Sequence, residues 1–319
     1  MKRYLFYIKV YMKSNIITKG IKFLLNSDYR SVIKSNYGAY DNINDEEYLK
    51  KIFKANMGYS LNLEDPKTFN EKLQWLKLYN RRPEYTMMVD KYKVREYISE
   101  KIGEEYLIPL IGLWDDPDDI DFDTLPNQFV LKCNHNSGLG MYICEDKKNI
   151  DVQKVKKELR KGLKQDYYLL GREWPYKDVP RKVVAEKYMT DETGTNLRDY
   201  KFYCFDGNAK VVGIYQDRNT EKETTGDFFD MDFNWLDFTF NMPNAKVKPS
   251  KPNHFEKMKE IAEILSKGIP HVRVDLYLSN DRIYFGELTF FDGSGFDKIE
   301  PFEWDLKLGS WINLPSKTY

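Results

Sequence analysis

The chain has 319 residues, 41% hydrophobic, 31% charged and 15% aromatic, with a formal net charge of zero. That length and composition fit two or three subdomains or one large α/β unit and exclude wholesale disorder. The charge balance argues against a uniformly basic nucleic-acid binder, so no nucleic-acid partner is expected.

Charge is unevenly spread along the chain. Residues 1–36 carry eight Lys or Arg against Asp28 alone, a net of +7 that leaves −7 for the remainder. Tyr4, Leu5, Phe6, Ile8, Ile16, Ile21, Phe23 and Leu24 lie among those charges. Such a segment suits an anionic membrane interface, or equally a basic helix packed on the domain. Pro66 precedes Thr68-Phe69-Asn70-Glu71, a capping box that starts a helix through Leu73, Trp75 and Leu78. A second helix opens at Asp90 to Arg95 and ends near Gly103. The acidic, turn-rich segment 115–126 reads as a solvated loop.

Phe129 to Lys132 is a short buried strand, followed by Asn134-His135-Asn136-Ser137-Gly138-Leu139-Gly140 and a strand from Met141 to Cys144. Strand, small-residue loop and strand outline a flap whose amides can close over phosphates. It is neither a Walker A loop nor a GxGxxG leading into a helix. A helix is expected from Asp151, a buried strand over Arg181 to Met189, and a half-buried strand over Asp199 to Phe205. The turn Asp206-Gly207-Asn208 leads into a partner strand from Lys210 to Tyr215. Residues 216–252 read as a long irregular loop, and Asn253 as the cap of a helix from Phe255 to Leu265, closed by Gly268.

Val272 to Gly295, VRVDLYLSNDRIYFGELTFFDGSG, reads as two strands joined near Ser279-Asn280-Asp281. Val272, Val274, Leu276 and Leu278 share one face, and Arg273, Asp275 and Tyr277 the other. On the second strand Tyr284, Leu288 and Phe290 share one face, and Phe285, Glu287 and Thr289 the other. A three-residue loop, Asn280 to Arg282, places Asp275 opposite Glu287 and Arg273 opposite Thr289. Facing carboxylates repel unless a cation sits between them, and Mg²⁺ takes one or two carboxylates with phosphate oxygens and water.

Cys133, Cys144 and Cys204 are odd in number and have no CxxC spacing, which points to a reducing compartment without a zinc site. His135, His254 and His271 form no HExxH. No run of 18 apolar residues occurs, and the N-terminus lacks the core and cleavage site of a signal peptide. The expected location is cytoplasmic, with peripheral contact at the inner face of the cell membrane through residues 1–36 as an added expectation.

The stretches KTFNEKLQWLKLY, DKYKVREY, FVLKCNHNSG, GREWPYK, VAEKYM, DYKFYCFDG, RVDLY and YFGELTFFDGSGF, running from about Pro66 to Leu314, resemble in order the ATP-grasp superfamily. More closely the chain resembles its TupA-like family, of bacterial surface-polysaccharide biosynthesis. The resemblance implies an α+β ATP-grasp fold in which two α+β subdomains clamp the nucleotide, with a basic helical N-terminal extension. The expected division is 1–56 for that extension, 57–189 for the nucleotide-binding part with its Gly-rich flap, and 190–319 for the subdomain with the metal site.

The resemblance also implies roles. Lys132 and Lys91 contact phosphates, Ser137, Gly138 and Gly140 form the flap, and Glu186, Lys187, Tyr188 and Met189 form the hinge that reads adenine and ribose. Lys201 reaches the phosphates from the second subdomain. Asp275 and Glu287 hold Mg²⁺, with Thr289 where many members carry Asn, and Arg273 lies near the γ-phosphate or an acyl-phosphate. The implied cofactors are ATP and Mg²⁺, and the implied activity is a carboxylate–amine ligase. Its substrates are a carboxylate-bearing sugar or glycan precursor and an amine. Three other readings are a sugar kinase on the same nucleotide site, a glycosyltransferase using Asp230-Met231-Asp232 as a D-x-D motif, and a non-catalytic scaffold. GREWPYK is a further candidate substrate element, through Arg172, Glu173 and Trp174.

Overall fold

The computed structural model describes residues 16–190, 198–216 and 224–317; the first fifteen residues of the basic segment lie outside them. Helices α1 (Ile16–Leu25) and α2 (Ser27–Asn36) are separated by Asn26 alone, and Arg30 Nη1 of the second donates to the carbonyls of Phe23 and Leu24 at the end of the first, both at 2.9 Å. Helix α3 (Asp45–Met57) starts with the Asn44 side chain accepting from the Glu47 amide and stops at Gly58, whose φ of +85° suits glycine. Helix α4 (Phe69–Tyr79) has the expected capping box: Thr68 accepts from the Glu71 amide and Glu71 from the Thr68 amide, each at 3.1 Å. After α5 (Glu84–Val89), Asp90 accepts from the amides of Tyr92 and Lys93, a turn that delays α6 to Val94–Lys101.

Four antiparallel strands follow in the spatial order β1-β4-β2-β3, comprising β1 (Leu110–Trp114), β2 (Phe129–Cys133), β3 (Tyr142–Cys144) and β4 (Val183–Lys187). Helix α7 (Val152–Leu163), capped by Asp151, covers them, and a one-turn helix α8 (Tyr168–Gly171) follows. Leu131, Val155, Leu159, Val183 and Ala185 form their core, joined by Ile120, Phe122 and Leu125 from the acidic segment. That segment is therefore anchored rather than simply solvated.

A second, six-stranded antiparallel sheet has the order β11-β10-β5-β6-β7-β8. Its strands are β5 (Asp199–Phe205), β6 (Asn208–Gln216), β7 (Thr225–Phe229), β8 (Trp235–Leu236), β10 (Val272–Ser279) and β11 (Arg282–Thr289). A short β9 (Thr239–Phe240) pairs with β12 (Ile299–Glu300). Strand β5 is buried along its whole length rather than on one face: the Cys204 thiol contacts the Ala262 carbonyl on helix α9 (Phe255–Ser266), and Lys201 and Tyr203 face the site. The stretch 216–252 contains three strands in place of the expected irregular loop; residues 217–223 of it lie outside the described ones. His254, not Asn253, is the N-cap of α9, in a left-handed conformation without a side-chain cap.

The larger core unites this sheet with α3 to α6, α9 and α10 (Phe302–Ser310). Phe69 on α4, for example, meets His271 at 4.8 Å and Phe240 at 6.3 Å between ring centroids. The early helices thus pack on the sheet made by the chain after Asp199.

The β10–β11 hairpin reaches the expected register by a different route. Ser279 pairs with Arg282, so the loop is the two residues Asn280 and Asp281, with φ of 48° and 60°. These are left-handed conformations that Asn and Asp tolerate in a tight hairpin turn. A bulge then shifts the ladder between Asp275 and Leu276, with Gly286 as the extra residue, so that Asp275 faces Glu287 and Arg273 faces Thr289. Below the bulge the alternation reverses from the expectation: Ile283 and Phe285 are buried on the apolar side, opposite Leu278 and Leu276, and Tyr284 faces Tyr277.

Candidate active site

The register of the large sheet builds the centre of the site. On β10, Asp275 lies opposite Lys201 of β5 on one side and Glu287 of β11 on the other; Arg273 lies likewise between Tyr203 and Thr289. Because side chains alternate along a strand, all these groups project from one face. The Arg273 guanidinium grips Asp275 with two parallel bonds, Nε to Oδ1 at 2.6 Å and Nη2 to Oδ2 at 2.7 Å. Nη2 also reaches Glu287 Oε1 at 3.1 Å, and Nη1 donates to Asp292. Lys201 donates to Asp275 and lies 3.8 Å from Asp199. Thr289 Oγ1 donates to Glu287 Oε1 at 3.2 Å.

Asp275 is buried, and burial alone would raise its carboxyl; Arg273 and Lys201 outweigh that and hold it below the ordinary carboxylate range. Burial likewise acts to discharge Arg273, but Asp275 and Asp292 keep it firmly protonated. Among the described residues this network links Lys201 and Arg273 with the carboxylates of Asp199, Asp275, Glu287 and Asp292. Hard oxygen donors from Asp275, Glu287 and Thr289, set side by side in this acidic cluster, fit one Mg²⁺ that completes its shell with phosphate and water.

The small sheet contributes the opposite wall. Lys132 on β2 pairs with Glu186 on β4 at 2.5 Å. Lys91 donates from Nζ to the Asn136 carbonyl at 2.5 Å, while its own amide binds the Asn134 carbonyl at 3.2 Å. Burial lowers the Lys91 ammonium, Glu287 raises it and Lys132 lowers it further, so Lys91 stands within the fields of both walls. The flap residues divide. Ser137 and Gly138 are exposed at the tip, and a Cβ on Gly138 would meet nothing within 4 Å. Gly140 is buried, and a Cβ there would lie 2.9 Å from Gly162 Cα and 2.7 Å from Cys133 Sγ. Its missing side chain serves close packing on α7 rather than approach to a ligand.

In the segment expected to form the hinge, Glu186 is buried on Lys132, Lys187 is exposed with its amide bound to the Pro109 carbonyl at 3.0 Å, and the Tyr188 hydroxyl donates to Glu145 at 3.3 Å. Met189 is half-buried, and the carbonyl of the next residue, Thr190, accepts from Ser279 Oγ at 2.6 Å, tying the end of that segment to the β10–β11 turn.

Two groups here went unassigned from sequence. Asp292 accepts from Arg273 and, at 2.5 Å, from the Tyr203 hydroxyl. Lys77 of α4 is fully buried and donates to the carbonyls of Gly171 and Ser294, both at 2.7 Å; burial lowers its ammonium to about 7. Lys77 and Asp292 lie in stretches, QWLKLY and FFDGSG, where alternation and helical spacing give no sign of a buried charge. Within GREWPYK, Arg172 turns out to be structural, donating to the Tyr40 and Asp41 carbonyls at 2.7 and 3.1 Å with its guanidinium 4.5 Å from the Tyr48 ring centroid. Glu173 is buried near Lys77, and Tyr176 sits in the fields of Glu173, Glu287, Arg273 and Asp275.

Asp230 of the D-x-D motif accepts from the Asp232 and Asn234 amides at 3.0 and 2.8 Å, the pattern of a turn-forming side chain. Among the described residues no group of three His, Cys, Asp or Glu is arranged to hold a metal.

Comparison with curated proteins gives no match. Among solved structures, the chain is similar to a D-alanine–D-alanine ligase from Bacillus anthracis complexed with ATP (18% identity, TM-score 0.38), covering 64% of this chain and 55% of that one. It is similar to the D-alanine–D-alanine ligase of Helicobacter pylori (16%, TM-score 0.43, 79% and 68%) and to an L-amino acid ligase from Bacillus licheniformis (14%, TM-score 0.41, 85% and 57%). In the first of these the chain spans little more than half the length of its counterpart, and likenesses this distant decide nothing about the reaction. The family model TupA-like ATPgrasp matches residues 71–313, three-quarters of the chain and every residue of the site, so the chain belongs to the TupA-like ATP-grasp family.

Proposed function

We propose that this ATP-grasp enzyme is a carboxylate–amine ligase that joins an amino acid or amino sugar to a uronic acid or other acidic glycan precursor of the bacterial surface. ATP and Mg²⁺ are the cofactors of the family to which it belongs. The observation that carries the reading is the Arg273-centred cluster, with Asp275 and Glu287 facing each other and Lys201 alongside.

A carboxylate does not accept an amine at neutral pH, because the leaving group would be oxide or hydroxide. Attack of its oxygen on the γ-phosphorus, with loss of ADP, gives an acyl-phosphate; attack of a neutral amine on the acyl carbon then expels phosphate and releases a proton. Phosphoryl transfer asks mainly for positioning and neutralised charge. Arg273 and Lys201 supply positive charge from the large sheet, Lys132 supplies it from the small sheet, and Lys91 from the turn between α5 and α6. Asp275 and Glu287, with Thr289 beside them, would hold Mg²⁺, which neutralises phosphate charge when bound. Ser137 and Gly138 offer an exposed flap tip over the phosphates, and the hinge from Glu186 to Met189 is assigned to the nucleoside. The test is an ADP-release screen of the purified protein against uronates and sugar nucleotides, with and without amino acids, read by mass spectrometry. An amide product is expected. Phosphoryl left on a sugar hydroxyl would replace this reading by a kinase, and no ADP release with any acceptor would remove it.

We further propose that residues 1–36 rest on an anionic membrane surface at the inner face of the cell membrane. Support comes from the +7 charge of that segment and from α1, where Ile21, Leu24 and Leu25 are 52%, 73% and 82% exposed beside Lys19 and Lys22. Each basic residue near such a surface contributes about 1 kcal/mol. No helix among the described residues is long and apolar enough to cross a membrane. The full chain should float with vesicles containing phosphatidylglycerol but not with phosphatidylcholine vesicles, and a chain lacking residues 1–36 should not float. Equal flotation of the two chains would refute the contact.

A further inference from the structure

Arg273 has five N–H donors in one rigid plane, and three carboxylates divide them: Asp275 takes Nε and Nη2, Glu287 shares Nη2, and Asp292 takes Nη1. In the reading above, Asp275 and Glu287 are also the cation's ligands. Carboxylate oxygens engaged by a divalent cation give up much of their attraction for a guanidinium, since the same lone pairs serve both. Asp292 has no such second duty. It lies three residues beyond the end of β11, is buried, and uses its other oxygen to accept from the Tyr203 hydroxyl at 2.5 Å. Tyr203 in turn lies opposite Arg273 in the β5–β10 ladder, so one rigid sheet fixes both the arginine and the group bracing its carboxylate.

We infer that Asp292, braced by Tyr203, is a positioning residue that holds Arg273 by its Nη1 edge while Asp275 and Glu287 serve the cation, leaving the Nε–Nη2 edge for the transferring phosphoryl group. The inference rests on the metal reading and adds a division of labour within the acidic cluster: two carboxylates for the cation, one for the arginine.

The experiment follows rotation of the Arg273 guanidinium about Nε–Cζ, read from its Nη–H resonances (assigned with Arg273→Lys) in protein carrying ¹⁵N-arginine, alone and with Mg²⁺–ADP. In free Asp292→Asn the rotation should stay slow as in the wild type, because the paired bonds to Asp275 still hold the guanidinium. With Mg²⁺–ADP bound, it should quicken at least about tenfold in Asp292→Asn and stay slow in the wild type, where Asp292 still holds Nη1. Turnover should fall about 10- to 100-fold with Mg²⁺–ADP affinity within about twofold, as for other groups that orient a working residue. Asp292→Glu should restore part of the loss. Tyr203→Phe, which removes only the brace, should give a smaller change in the same direction and decides the matter if Asp292→Asn does not fold. Equally slow guanidinium rotation in the loaded variant and wild type, or unchanged turnover, would overturn the inference. Wild-type protein that binds ADP equally well without Mg²⁺ would instead remove the metal reading, whatever Asp292 does.

Discussion

Asp275 and Glu287 face each other but differ in what else depends on them. Asp275 is buried and holds both Arg273 and Lys201, whereas the Glu287 side chain is 44% exposed and meets Arg273 only at 3.1 Å. Both Asp275→Asn and Glu287→Gln are expected to lower Mg²⁺-dependent ATP turnover on the order of 100-fold or more, the scale of losing one fixed charge-stabilising group. Their stabilities should diverge. Asp275→Asn leaves two buried cations short of a partner and should cost about 3 kcal/mol, while Glu287→Gln should cost less than about 1 kcal/mol. Urea unfolding alongside ADP release checks both halves, and full turnover in either variant would retire that residue as a ligand.

At the scale of elements, the β10–β11 hairpin shows how one residue sets chemistry. With a two-residue turn and an unbroken ladder, Gly286 would sit opposite Asp275 and Glu287 would point into the apolar face. The bulge at Gly286 restores the facing carboxylates, and it needs glycine for room: a Cβ would stand 2.8 Å from the Tyr277 ring and 3.0 Å from the Asp275 carbonyl oxygen. Gly286→Val should therefore destabilise the fold by about 1–3 kcal/mol and reduce turnover beyond what the lost stability explains. Normal activity in that variant would show that the bulge does not position Glu287. Helix α4 offers a purely structural contrast. Thr68→Ala removes the acceptor for the Glu71 amide and should cost about 1 kcal/mol in urea unfolding, with little change in the KM for ATP.

Across the whole molecule, the two walls of the site belong to different cores, and the early helices α3 to α6 share theirs with the last strands. His271 lies in that larger core, donating from Nδ1 to the Cys204 carbonyl at 3.0 Å among Phe69 and Phe205, with Asp292 and Arg273 as the charged groups acting on it. Burial pushes its imidazole down to about 4 from 6.5. Its neutral form therefore contributes stability fully above pH 6.5, lost as the pH falls toward 4, on the order of 3 kcal/mol. Asp305, raised by burial to about 6, acts in the opposite sense over part of that range. The comparison is therefore made against His271→Phe, whose unfolding free energy should fall less than that of the wild type between about pH 7 and about pH 4.5. Parallel pH profiles would exclude the buried neutral histidine.

Local pattern was enough for the capping box at Thr68, the β2–β3 flap outline and the set of motifs that marks the family, because each rests on residues close in sequence; the Asp275–Glu287 pairing was expected from a three-residue loop and arises instead from a two-residue turn and a bulge. The three strands within 225–240, the full burial of β5 and the bulge at Gly286 were not legible, since they depend on what a distant segment lays against them. The same holds for the charges. Sequence named Arg273, Asp275, Glu287, Lys132 and Lys201 through their motifs, but Lys77 and Asp292 look like ordinary surface residues until folding buries them. An ammonium or a carboxylate is tolerated inside only where carbonyls, hydroxyls or counter-charges from other parts of the chain converge on it. That convergence is a property of the assembled sheets, and it is where tertiary structure alone decided which charges form the site.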